Sequence, residues 1–393
     1  MNKKHIVTSL LGVFLFLNAF AQKDVKKGFA FAEKQTRVML SAIDQAKMAD
    51  KTGVSPRTLS AGGDLVLVPS KDWCSGFFAG ELWFLYQYTG DEKWLNEAKK
   101  YTGFIESQKI NGGTHDMGFK LYNSVGNGYL LTKDAHYKDV IIEGAKTLST
   151  RFNPKVGCIK SWDNRVWQFP VIIDNLMNLE LLFEATKLTG DSSFYKIAVS
   201  HANTTMKNHF RANYSSYHVV SYDPETGEVL KKQTYQGYAD ESAWSRGQSW
   251  ALYGYTMCYR ETKNKIYLRQ AENIAGFILN NPSLPGDLIP YWDYNAPGIP
   301  NEQRDVSAAS VMASALYELS TYSTKGKLYR HKADLIIKNL TSHYTASPAA
   351  SKGFILLHST GSKPSNTEVD EPLIYADYYY LEALLRKKQL AGH

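Results

Sequence analysis

YTGDEKWLNEAKKYTGFI, residues 88–105, decides the fold. A polar turn leads to Trp94 and then to a helix-forming run containing Ala98. The same plan recurs as LTKDAHYKDVIIEGAKTL (131–148), LTGDSSFYKIAVSHANTT (188–205), RETKNKIYLRQAENIAGFIL (260–279) and YSTKGKLYRHKADLIIKNL (322–340). Each copy ends one helix, turns, and starts the next with Trp, Tyr or Phe at a similar place, the mark of stacked helical hairpins. Residues 29–48 add a helix of Ala, Lys, Glu and Gln. Asp72 to Tyr86 adds one that is apolar nearly all round and therefore buried, where Gly76, Ala79 and Gly80 let neighbours approach closely. Five turns and this early pair give six hairpins, twelve helices in all. Strand-like alternation is scarce, best at residues 217–222 and 227–232, and residues 51–70 read as turns. The last helix, 375–390, is apolar along one side (Tyr378, Leu381, Leu384, Leu385), which suits packing against the first. The expected fold is all-α, a closed (α/α)6 barrel or six-hairpin toroid. Loops at one end of its inner helices should surround a cleft.

The first 21 residues follow the export pattern: Lys3 and Lys4, an apolar run from Ile6 to Leu17, then Ala19-Phe20-Ala21 as a small-x-small cleavage site. The run is too short to span a bilayer, and no Cys follows it to take a lipid. Residues 22–393 should form a single exported domain, periplasmic or secreted, free of the membrane after cleavage. Removing Lys3 and Lys4 reduces the formal charge from +7 to +5. The basic residues are scattered, without runs interleaved with aromatics, which argues against nucleic acid and suits an acidic small substrate. Aromatic residues make up 13%, as a sugar cleft or any large core would require. Cys74, Cys158 and Cys258 are odd in number and widely spaced; they read as buried thiols with room for one bridge, and they lack metal-ligand spacing.

Three stretches could carry chemistry. SWDNRVWQFPVIIDNLMNLELLF (161–183) opens on aromatics, and Pro170 punctuates it. Ile172, Leu176, Leu179 and Phe183 then recur at helical spacing. Asp174, in the first turn, is either a helix-start carboxylate or a carboxyl whose pKa an apolar pocket raises until it can donate a proton. In GGTHDMGF (112–119), His115-Asp116 stands at the start of an inner helix, either as part of a cap or as a second carboxylate converging on Asp174. In QTYQGYADESAWSRGQSW (233–250), Trp244 and Trp250 offer stacking surfaces and Arg246 a planar fork for a carboxylate; the competing readings are core packing and an ion pair. His218 sits in a strand-like stretch, where structural roles are commonest. Asp293, Asp305 and Asp370-Glu371 read as capping residues. Phosphate-loop, nucleophile-elbow and zinc signatures do not occur in the sequence.

HDMGF (115–119), FPVIIDNLMNLELL (169–182), ADESAWSRGQSWALYGY (239–255) and YADYYYLEALLR (375–386) together resemble the unsaturated glucuronyl hydrolases, glycoside hydrolase family 88. The likeness runs in order over nearly all of the chain beyond the leader. It implies an (α/α)6 barrel, no cofactor and no metal. It also implies a hydrolase that hydrates the C4=C5 double bond of the unsaturated uronic acid which polysaccharide lyases leave at the non-reducing end. Asp174 is then the catalytic acid/base and Asp116 its partner. Trp73, His115, His218, Gln236, Trp244, Arg246 and Trp250 belong to the sugar subsite. Ser359 and Ser362, in the loop His358 to Lys363, would meet a sulfate on the next sugar. The substrate is an oligosaccharide ending in an unsaturated uronic acid, and the enzyme a monomer or weak homodimer. A rhamnogalacturonyl hydrolase acting on pectin fragments and a non-catalytic carbohydrate-binding toroid are the rival readings. The paired aspartates speak against a His-centred sugar epimerase.

Overall fold

Four of the five repeated turns are built the same way. Thr89, Thr132, Thr189 and Thr262 each donate a hydroxyl hydrogen to the carbonyl four residues back and accept the backbone N–H two residues on. The next residue (Gly90, Lys133, Gly190, Lys263) is left-handed and ends the helix. Asp91, Asp134, Asp191 and Asn264 then cap the following helix by accepting the N–H two residues on. Three residues after each cap a buried aromatic (Trp94, Tyr137, Phe194, Tyr267) anchors the new helix. The fifth turn lacks the left-handed residue and the side-chain cap, yet Tyr329 is buried in the same role.

The computed structural model describes the backbone of residues 3–49, 52–163 and 166–391, and side chains within 23–48, 52–163 and 166–391. The expected leader, residues 1–21, lies outside the described side chains. Twelve helices run in order. They are α1 (Lys3–Ala49), α2 (Ser75–Thr89), α3 (Glu92–Gly103), α4 (Asn127–Thr132, continuing π-helical turns over Gly118–Gly126), α5 (Ala135–Ser149) and α6 (Leu179–Thr189, after a 3-10 turn at Ile173–Asn178). After these come α7 (Ser192–Asn208), α8 (Ser245–Thr262), α9 (Lys265–Leu279), α10 (Val306–Ser320), α11 (Gly326–His343) and α12 (Ile374–Ala391). Even-numbered helices form the inner ring and odd-numbered ones the outer, an (α/α)6 barrel. The inner helices are buried nearly all round, as α2 and α10 illustrate. Gly76 and Gly80 are where that packing is tightest: a Cβ there would lie 2.2 Å from Lys120 O and 2.4 Å from Asn123 O.

The ring closes where α12 meets α1 and α2. Lys387 pairs with Asp24 at 3.0 Å, and Tyr380 and Leu384 pack on Gly28. Two buried carboxyls meet in this seam. Asp377 accepts the backbone N–H of Ile355 and of Leu356, each at 2.8 Å, while burial, with Glu81 beside it, pushes its carboxyl well above the usual range. Glu81 lies 3.0 Å from Thr36 Oγ1, whose single hydrogen is drawn to the Ala32 carbonyl at 2.9 Å, so Glu81 supplies the proton of that contact. Burial accordingly pushes Glu81 up to about 8. A folded carboxyl raised in this way contributes its full stability below its unfolded value of 4.5 and loses it as pH rises through about 8. Glu81→Gln keeps the shape without the proton. Its stability should match the parent's near pH 5 and exceed it at pH 8.5, by on the order of 4 kcal/mol at most. Parallel melting curves across pH test this, and a pH-independent gap would contradict it.

At the far end of the ring an ionic network closes the bore. Arg260 pairs with Glu180, Glu261 and Glu318; Arg386 pairs with Glu318 and Glu382; Lys187 pairs with Glu184 and Glu261. The four inner helices α6, α8, α10 and α12 are thereby tied together.

Short strands occupy the connections that enter inner helices. Residues 51–70 hold an antiparallel pair, Ser55–Leu59 with Leu65–Val68, where turns were expected. The alternation at 217–222 and 227–232 becomes Val219–Tyr222 and Val229–Gln233, joined by Phe169–Ile172 in a three-stranded antiparallel sheet. The helix expected directly after Pro170 is therefore delayed. Phe169–Ile172 is buried on both faces as a strand, and the chain turns helical only at Ile173. Asp370-Glu371 ends the strand Thr367–Glu371, paired with Ser359–Ser362, and does not cap α12. Asp305 does cap α10, whereas Asp293 organises a loop by accepting from Tyr238 N, Asn295 N and Ser242 Oγ.

Candidate active site

Because these connections all open on one end of the ring, the first turns of the inner helices face one another there. Trp73 precedes α2, and His115-Asp116 precedes the π-helical turns. Asp174 is the second residue of the 3-10 turn, Arg246 the second of α8 and Tyr375 the second of α12. All of them line one cavity of about 360 Å3, together with Gln236 and Ser362. His115 and Asp116 thus come to the same cavity as Asp174 from the neighbouring inner element, as the two motifs lead one to expect.

Asp174 is 13% exposed on its side chain, and its Oδ2 is enclosed without a hydrogen-bond partner. Burial pushes its carboxyl up to about 7, opposed by Arg246 and reinforced by the charge of Asp116. Asp174 stands in the first turn, where the helix-start reading puts it, and its burial gives the raised pKa that the second reading requires. Asp116 is held by Thr114, whose hydroxyl donates to Oδ2 at 3.2 Å and accepts the Asp116 N–H. His115, buried beside it, has Nδ1 2.8 Å from the Ser161 carbonyl and Nε2 3.1 Å from Asp116 Oδ1. Burial pushes the His115 ring below its usual value, against the pull of Asp116.

Several expected contacts are placed otherwise. Trp244 and Trp250 present no face to the cavity. Trp250 is fully enclosed behind Phe119, their rings 5.2 Å apart, and Trp244 is sandwiched between His218 and Arg246, each 4.6 Å away. Among the aromatic rings that line the cavity, Trp73, Trp162 and Tyr235 are only partly buried, whereas Phe119 and Tyr375 are enclosed and back Trp73. Arg246 reaches the cavity with three of its five N–H already committed, to Asp305, Thr360 O and Gly361 O at 2.6 Å each. It therefore anchors the hairpin that carries Ser362. Ser359 is enclosed and away from the cavity; Ser362 lines it, bonded to Ser365 at 3.0 Å. His218 lies beneath Asp174, its side chain 0% exposed. Gln236 lines the cavity and donates to Gly361 O. Cys74, Cys158 and Cys258 are free, buried thiols.

Arg57 and Glu368 line the same cavity and were not legible as site residues. Arg57 forks onto Glu368, 311 positions away, and reaches Asp72 at 2.9 Å. Neither lies in a motif, and no periodicity marks a pair so distant. Among the described residues no group of His, Cys, Asp and Glu could hold a metal ion, and no helix is long and apolar enough to cross a membrane.

The model of Glycosyl Hydrolase Family 88 matches residues 47–274. An unsaturated glucuronyl hydrolase of Formosa agariphila is 52% identical over 340 residues, covering 85% of each chain. The crystal structure of an unsaturated glucuronyl hydrolase specific for heparin superposes with a TM-score of 0.87 at 47% identity, covering 93% of this chain and 98% of the other. A mutant unsaturated glucuronyl hydrolase from Streptococcus agalactiae, complexed with dGlcA-GalNAc6S, has a TM-score of 0.76 at 29% identity, covering 93% and 91%.

Proposed function

The chain belongs to glycoside hydrolase family 88 and hydrolyses unsaturated uronic acid from oligosaccharides; we propose that Asp174 does so by hydrating the C4=C5 bond, on fragments of glycosaminoglycan type. One observation carries the mechanism: a carboxyl raised to about 7 in the same cavity as a second carboxyl, Asp116. Protonated Asp174 gives its hydrogen to C4 of the vinyl ether. Positive charge develops at C5 and the ring oxygen, where the carboxylates stabilise it. Asp174, now ionised, takes a proton from the water that attacks C5. The hemiketal opens and releases the neighbouring sugar. Trp73 and Trp162 supply ring faces for the two sugars. The glycosaminoglycan preference is supported by the heparin-specific structure and by the dGlcA-GalNAc6S complex among the relatives. Export is supported by the pattern of residues 1–21.

The test follows loss of the conjugated double bond's ultraviolet absorbance with disaccharides made by heparin and chondroitin lyases, sulfated and not, and with pectin fragments. Turnover is expected on the glycosaminoglycan set. Turnover on pectin fragments alone would reassign the substrate; tight binding without turnover would make the chain a binding protein. Because Asp174 must start protonated, kcat/KM should fall about tenfold per pH unit above the neutral range.

A further inference from the structure

Beneath each aspartate stands a buried histidine, and the backbone fixes which ring nitrogen carries the proton. His218 Nδ1 accepts the backbone N–H of Tyr235 at 3.1 Å and of Gln236 at 3.2 Å. A nitrogen that accepts cannot also hold a proton, so the neutral ring carries its hydrogen on Nε2. That Nε2 is enclosed, has no hydrogen-bond partner, and lies 3.8 Å from Asp174 Oδ2, an oxygen equally enclosed and unpartnered. A buried donor and acceptor left apart are each costly, since neither regains the hydrogen bond it had in water. His115 is wired the other way. Its Nδ1 faces a carbonyl, which only accepts, so the neutral ring turns the Nε2 lone pair toward Asp116. His218 is the ring whose neutral form has its hydrogen fixed, by two backbone donors, on the side of its aspartate.

We propose that His218 is a positioning residue for Asp174: its Nε2–H closes onto Asp174 Oδ2 as that carboxyl gives its proton to the substrate, and opens again when the carboxylate takes a proton from water. The His218 hydrogen stays on the ring throughout, so the proton moves only between Asp174, C4 and water. The inference rests on Asp174 being the proton donor. It replaces the expected sugar contact, because the ring has 0% side-chain exposure, with Trp244 packed 4.6 Å away. The charged and titratable groups around the pair are Arg246 from α8, His115 and Asp116 from the segment before the π-helical turns, and His209 after α7. Burial, with Arg246, His209 and His115 adding, holds the His218 ring down to about 3, so it stays neutral in the working range. Closing the contact stabilises ionised Asp174 and opposes burial. Losing it therefore moves Asp174 ionisation to higher pH.

Two substitutions separate the donor from the loop anchor. In His218→Asn an amide oxygen can stand where Nδ1 accepts, and the donor toward Asp174 is gone. In His218→Gln the longer amide reaches the Nε2 place. With the best unsaturated disaccharide, His218→Asn should move the alkaline limb of kcat/KM up by about one pH unit. Its kcat should drop roughly 10- to 100-fold, with KM within about threefold. His218→Gln should keep the limb in place and recover most of kcat. An unmoved limb in a folded His218→Asn, or a raised KM with kcat intact, overturns the inference. If circular dichroism shows His218→Asn unfolded, His218→Gln decides: a retained limb supports the inference and a moved one overturns it. Full activity in Asp174→Asn would instead overturn the parent mechanism, so the two failures are distinct.

Discussion

Asp174→Asn is expected to lower kcat by about 10^3-fold or more while KM stays within roughly threefold, since the carboxamide keeps the shape and removes both the acid and the base. The same substitution should raise stability. Asp174 is pushed from 3.8 to about 7 by burial, so the folded chain holds its stability below the unfolded value and loses it as pH rises through about 7. Asparagine carries no such penalty. The variant should therefore be more stable than the parent at pH 8, by up to about 4 kcal/mol, and equally stable at pH 4. Absorbance assays and melting curves on one preparation read both effects. Retention of near-full turnover would remove Asp174 from the mechanism. A lost rate with no gain at pH 8 would leave the role but deny the burial that explains it.

Arg260→Met should be the largest single loss of stability, with chemistry intact. Arg260 joins carboxylates from α6, α8 and α10, and methionine leaves Glu180 and Glu318 facing each other without their shared cation. Removing one partner of a buried ion cluster costs about 3–5 kcal/mol, and partial exposure of Arg260 (26% on its side chain) puts the expected loss near the lower figure. Denaturant melts at neutral pH measure it. Below the new melting temperature kcat should be unchanged, because this network lies at the end of the ring away from Asp174. A loss under about 1 kcal/mol would mean that water screens the network as it does surface pairs.

These expectations depend on features of unequal visibility in the sequence. The ring is written locally. A threonine, a turn residue and an Asp or Asn cap recur within four positions at four of the turns, and a buried aromatic follows three later, so those hairpins announce themselves without reference to any other. The two aspartates are legible for a related reason, since each stands where a loop enters an inner helix. What short windows hide is pairing over distance. Phe169 to Ile172 is an apolar run that helix and strand can both bury, and only its partners at Val219 to Tyr222 decide between them. Trp244 and Trp250 adjoin residues that line the cavity but are themselves enclosed, because Arg246 and Phe119 stand in front of them. Arg57 finds Glu368 through a hairpin at the opposite end of the chain. The histidine tautomers are set by backbone amides and a carbonyl that sequence does not display.

The enclosed floor has one more consequence. Phe119, Trp250 and Tyr379 pack beneath the aspartates, and the Arg260 network stops the bore below. A glycan cannot thread through such a ring. The terminal sugar must back out by the door it entered, and the shortened fragment must detach before another end can be presented. Each fragment carries a single unsaturated end, so one turnover exhausts it, and the rate on long fragments should follow the concentration of such ends rather than the mass of polymer.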